Sequence, residues 1–245
     1  MVETILIAAA VIPALILLVR IYRLDRLESE PVSLLLGLLV LGVLSTVLAS
    51  LSEQVGDLIL AYFLPEASLA YKLLLYFGVV AFSEEGFKYL LLKKQTWHSP
   101  HFNCQFDGVI YAVFVSLGFA IWENIGYVLR YGLATAMARA LTAIPGHACF
   151  GVFMGVWYGV AKRQEMWGYP EDARHSRVMA VVLPALLHGL YDFIATQQRE
   201  SLSLVFVVFV AVMFVAAYRL AKRTANNDRF LDPIVEPYEE ENREE

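Results

Sequence analysis

Glu84, Glu85 and Lys88 stand in FSEEGFKYLLL, residues 82–92, a stretch that is otherwise apolar. Glu84 and Lys88 are four residues apart, in the order that favours an ion pair on one helix face. Further ionisable groups lie in apolar surroundings at Glu123, His147, His188 and Asp192, with Asn124 beside Glu123. His188 and Asp192 are again four apart, so the carboxylate can hold a ring nitrogen and fix the tautomer. Two carboxylates and two histidines in one wet pocket are a set for activating water. A glutamate removes the proton, a histidine shares the transfer, and a second histidine donates to the developing oxyanion. Zinc is the alternative, with His147, His188 and Glu85 as ligands and water in the fourth position. No close ligand pair such as H-x-x-x-H favours it, and Lys88 brings a cation to the same place. The residues alone leave the choice between no cofactor and zinc open.

Plainer roles stand beside these. Glu84–Lys88 could be a structural ion pair, although Glu85 would then lack a partner. His147 could be a packing residue, and Glu123–Asn124 an interhelical clamp. Gly118, Gly151, Gly155 and Gly159 read as helix-packing positions.

The elements that must carry these groups follow from composition. The chain has 245 residues, 58% hydrophobic and only 18% charged, with mean hydropathy +0.57. Soluble domains average about 25% charged, which places this chain in the membrane class. Seven segments approach the ~20 apolar residues of a membrane span: 4–19, 32–51, 73–92, 108–129, 140–161, 178–195 and 202–220. An apolar patch at Leu58–Leu64 is expected to lie at the interface or re-enter. Pro145 and Gly146 predict a local helix break before His147. The fold class is an all-α polytopic bundle. Residues 1–224 form the membrane domain, with its core at about 70–196. Residues 225–245 are an acidic tail expected to be disordered, with eight acids against two arginines from Asn226 onward. Cys104 and Cys149 have no metal spacing, and no disulfide is expected between them.

Lysine and arginine set the orientation. Fourteen fall in one set of loops and four in the other, with Lys88 inside a span. The N-terminus is expected outside and the C-terminus in the cytosol. Counting inward from the outer Lys72, Arg130, Arg139 and Arg199 puts the buried charges roughly 10–18 Å below the outer surface. Charges inside a membrane are costly and mark functional sites. Four helices carrying them at one level therefore predict one site. A proton-coupled carrier could use the same groups, but inverted-repeat symmetry is not evident.

In its ordered motifs the sequence resembles the PrsW family of intramembrane proteases, relatives of the prenyl-protein CAAX endopeptidases. The matching residues are S-E-E-G-F-K (Glu84, Glu85, Lys88) and F-D-G-V-I-Y-A-V-F-V-S-L-G-F-A-I-W-E-N-I-G-Y (Asp107 to Tyr127). They continue through H-A-C-F-G (His147) and H-G-L-Y-D (His188, Asp192). Y-R-L-D-R-L-E-S-E-P, with Asp25, Glu30 and Pro31, resembles the family's first loop. Ala112 departs from the glycine often found after the tyrosine. The signatures H-E-x-x-H, G-x-G-D and G-x-S-G of other intramembrane proteases are absent.

The resemblance implies a glutamate-dependent endopeptidase in the bacterial plasma membrane. Glu84 or Glu85 with His147 would activate water. His188 would donate to the oxyanion, and Asp192 would orient His188. Lys88, Glu123 and Asn124 would support them. The implied substrate is a single-span protein cut near the outer membrane boundary, as in first-site cleavage of an anti-sigma factor. A CAAX-like enzyme acting on a lipidated tail is a third possibility. The bilayer is the expected environment, and no nucleic-acid partner is expected.

Overall fold

The computed structural model describes residues 2–197 and 200–232. The helices are α1 (Val2–Tyr22), α2 (Val32–Phe63), α3 (Leu69–Leu73), α4 (Ala81–Thr96), α5 (Asp107–Tyr131), α6 (Leu133–Leu141), α7 (Ala143–Met166), α8 (Pro170–Ala195) and α9 (Glu200–Asn226). A π-helical stretch, Leu74–Val80, joins α3 to α4. Six helical stretches are long and apolar enough to cross a membrane, those of α1, α2, α5, α6–α7, α8 and α9. The chain is an all-α polytopic membrane bundle.

Two elements differ from expectation. The segment expected as a seventh span is helical from Leu69 to Thr96, but the π stretch interrupts it. Its charged triad keeps it out of the six apolar spans, but the helical run as a whole, π stretch included, is long enough to cross the ~30 Å core as a seventh. The patch Leu58–Leu64 is no separate element. It continues α2, which runs unbroken for 32 residues before Leu64 turns extended. At 1.5 Å per residue that is about 48 Å, well beyond the ~30 Å hydrocarbon core.

The centre of the bundle is α5. Every residue from Asp107 to Ala120 is buried, as expected for a helix that is apolar all round. Glycines let its neighbours approach. A Cβ at Gly42 or Gly118 would strike the backbone of the facing helix where α2 crosses α5. Gly155 and Gly108 do the same for α7 against α5. Without a hydrophobic force between helices in lipid, such close approach supplies the packing. Outward faces remain apolar; Tyr62, for example, is 83% exposed.

The helix break expected at Pro145–Gly146 occurs earlier. Thr142, at φ −123° and ψ −62°, separates α6 from α7. Pro145 then lies in the first turn of α7, where a missing N–H is tolerated.

Candidate active site

α4 supplies three of the site's charges on one face. Glu84 is 6% exposed, and Glu85 and Lys88 are fully buried. Lys88 is the hub. Its Nζ donates to Glu85 Oε1 at 2.7 Å and to Glu84 Oε2 at 3.4 Å. It lies 3.2 Å from His147 Nδ1 and 3.8 Å from the centre of the Phe119 ring. Adjacent carboxylates repel, and a buried ammonium is costly alone, so each makes the other tolerable. An Nζ–H donated to Nδ1 places the imidazole proton on Nε2, which donates to Glu123 Oε2 at 3.0 Å. Arg139 Nη2 reaches the same oxygen at 2.7 Å.

α8 closes the other side. His188 Nδ1 is 3.0 Å from Glu85 Oε1. Its Nε2 is 3.5 Å from Asp192 Oδ2 and 3.8 Å from Glu84 Oε2. Phe150 stacks on the His188 ring at 4.6 Å between centroids, which fixes its plane. The backbone permits this because Gly189 leaves room for Phe77 of the π stretch.

These groups border a cavity of about 260 Å³. Glu84, Glu123, His147, His188 and Asp192 line it, together with Glu53, Arg139 and Tyr191. Glu85 and Lys88 do not line it; they stand behind Glu84. A larger groove of about 370 Å³ between α1, α7 and α9 is lined mostly by apolar side chains. Arginine side chains are the only charged groups there, so the chemistry belongs to the first cavity. Asn124 lies away from it. Its Nδ2 donates to Ala10 O at 3.1 Å, and its Oδ1 accepts from Arg139 Nε at 2.9 Å. It is the interhelical clamp, and it also aims Arg139.

Sequence reasoning overlooked Glu53 and Arg139. Glu53 follows the point where a 20-residue span from Val32 would end, so it reads as loop. Its place on a continuing α2 depends on that helix's length. Arg139 reads as an outer flank, and only the break at Thr142 turns it inward. The expected pairing of His147 with water is also altered, because both of its ring nitrogens are engaged.

The donor set can be tested for a metal. One atom each from Glu84, Glu85, His147 and His188 fall within 4.8 Å of one another, and their chemistry suits zinc. Three of those four residues, however, already face Lys88 Nζ, the nearest at 2.7 Å. A dication on the same donors would have to displace a buried ammonium. A metal on these donors and Lys88 in its present place exclude one another.

A membrane bundle that gathers this many acids and imidazoles around a cavity of about 260 Å³ has the make-up of a polytopic membrane enzyme that activates water. The profile of the "PrsW family intramembrane metalloprotease" matches residues 30–218. The Protease PrsW of Halalkalibacterium halodurans is 32% identical over 224 residues, covering 91% of this chain and 99% of the relative. Those of Geobacillus kaustophilus and Bacillus subtilis are 33% and 32% identical, covering 89% and 78% of this chain and 91% and 83% of the relatives. No solved structure matches the chain significantly. The chain belongs to the PrsW family of intramembrane proteases. It is an integral, multi-pass membrane protease, and the carrier reading gives way.

Proposed function

We propose that the protein is a metal-independent glutamate protease that cuts a single-span membrane protein near the outer membrane boundary, with an anti-sigma factor as the candidate substrate. The orientation drawn from lysine and arginine, N-terminus outside, supports an outer-side cut. The observation that carries the chemistry is the division of labour between the two adjacent glutamates. Glu84 faces the cavity, whereas Glu85 is fully buried between Lys88 and His188.

Glu84 is the general base. It accepts a proton from water, and the resulting hydroxide adds to the scissile carbonyl. Lys88 holds both carboxylates in place by hydrogen bonds that are already formed before substrate enters. Carrying a proton on each nitrogen, His188 donates Nδ1–H to Glu85 and turns Nε2–H to the cavity, where it donates to the oxyanion. Asp192 orients that ring. Glu84 then returns its proton to the leaving amine. His147 links Lys88 to Glu123 and holds the far wall, which Arg139 completes.

Zinc held by His147, His188 and Glu85 is the competing arrangement. It requires Lys88 to leave its present partners.

Co-expression with tagged single-span proteins tests the reading. The wild type is expected to yield a clipped product with its new end on the outer side, and Glu84→Gln none. Undiminished clipping by Glu84→Gln would overturn it.

A further inference from the structure

A second group of acids, two of them buried, lies at the opposite end of α5, about 24 Å from Glu123 along the helix. It gathers Asp25, Glu28 and Glu30 from the loop before α2, Asp107 from the start of α5, and Asp228 from the segment after α9. Among the described residues, none of the five makes an ion pair with a lysine or arginine.

The loops that carry them are pinned together. Leu231 N donates to Asn103 O at 2.7 Å, Gln105 N to Arg229 O at 3.2 Å, and Phe106 N to Asp228 Oδ1 at 2.8 Å. Asp107 Oδ2 accepts from the Asn103 and Cys104 amides at 3.1 and 2.7 Å. The remaining carboxylate oxygens are left over. Glu30 is 3% exposed, and neither of its oxygens has a hydrogen bond of good geometry; the Tyr111 hydroxyl, which donates to His101 O, and the Asp107 carboxyl lie beside it. Asp107 is fully buried and its Oδ1 has no hydrogen-bond partner; Asp25 Oδ2 and Asp228 Oδ2 are likewise unpartnered. Asp107 lies against Glu30 and Asp228, and Glu30 against Asp25 and Glu28. Glu28, Asp107 and Cys104 offer ligand atoms within 4.8 Å of one another.

Buried carboxylates facing each other without a counter-charge repel, and unsatisfied buried oxygens in a native fold require an explanation such as an ion. We propose that this cluster is a binding site for a hard divalent cation, Ca²⁺ or Mg²⁺, which ties the first loop, the α4–α5 loop and the chain after α9 together. Oxygen donors from several carboxylates are what such ions take. Several carboxylates against a single thiol, Cys104, set the site apart from thiolate-rich zinc sites. The site needs no contact with the active-site cavity, so it stands or falls apart from the proteolytic reading.

The test is thermal unfolding of the purified full chain in detergent, stripped with chelator and titrated with Ca²⁺ or Mg²⁺. The expected result is a saturable rise in the midpoint with at least one ion, retained in Glu84→Gln. Glu28→Gln, at an exposed position, is expected to weaken the apparent affinity at least ~10-fold. Glu30→Gln is expected to abolish the response and to make the stripped protein more stable at pH 8, because it removes one repelling charge. A merely structural Glu30 would give loss of stability in the stripped state instead. No saturable rise with either ion, an equal rise in Glu30→Gln, or loss of the rise in Glu84→Gln would each overturn the proposal.

Discussion

The bundle buries charge in two places, and the two are built oppositely. Around α4 and α8 the acids are interleaved with cations and imidazoles. Lys88 alone serves Glu84, Glu85 and His147, and Arg139 serves Glu123. At the start of α5 there are only acids, and several of their oxygens face no donor. A mixed cluster holds its members in fixed positions before substrate arrives. An all-acid cluster is tense until a proton or a metal ion joins it. The first is suited to chemistry and the second to sensing or fastening.

The largest expected effect falls on the mixed cluster. Glu84→Gln is expected to lower cleavage by ~10²–10⁴-fold, the usual worth of a positioned general base. The folded state should be intact by thermal unfolding, because an amide can still accept from Lys88. Lys88→Met comes next and acts differently. It leaves two buried carboxylates without their cation, which costs about 3–5 kcal/mol for a broken buried pair. Both the unfolding midpoint and the cleavage rate should fall. A Lys88→Met protein as stable as wild type would show that Lys88 is not the hub.

The sequence carried much of this and missed identifiable parts. The charges at Glu84, Glu123, His147 and His188 lie in apolar runs at matching depths, so their convergence on one cavity could be read directly. What failed depends on tertiary context. A 20-residue window ends a span near Leu51, but helix α2 has no break there and carries Glu53 on into the cavity. Proline marks a break to the eye, yet Pro145 fits the first turn of α7 and the chain bends at Thr142. Within the stretch expected as tail from residue 225, α9 continues to Asn226, and Asn227–Asp232 is bound to the loop before α5. Composition treats Asp228 as one more acid of the tail, whereas in the fold it accepts from the Phe106 amide. Residues 233–245 lie outside the described structure.

Two smaller effects sharpen the contrast. Arg139→Gln is expected to lower cleavage about 10-fold with little change in stability, since the Arg139–Glu123 pair is partly exposed. A stability loss as large as that of Lys88→Met would make Arg139 a structural residue. The weakest signal is the pH dependence of the acid cluster. The Glu30 carboxyl has a folded value of about 7 against 4.5 when free. The folded state therefore holds that proton to higher pH than the unfolded state does. Its contribution to stability is full below pH 4.5 and is lost as pH rises through about 7. Unfolding midpoints of chelator-stripped protein should fall across that window, and less steeply in Glu30→Gln. An identical slope in the two proteins would contradict the assignment.

The central claim, that Glu84 activates water with Lys88 as the fixed cation in place of a metal, has a direct test. Purified protein is given a tagged single-span substrate it cleaves, with Mg²⁺ and Ca²⁺ in excess to keep the distant acid cluster filled, and a zinc-selective chelator is added. Cleavage is expected to continue at an unchanged rate with the chelator and to vanish in Glu84→Gln. Cleavage abolished by the chelator and restored by one equivalent of zinc would contradict it.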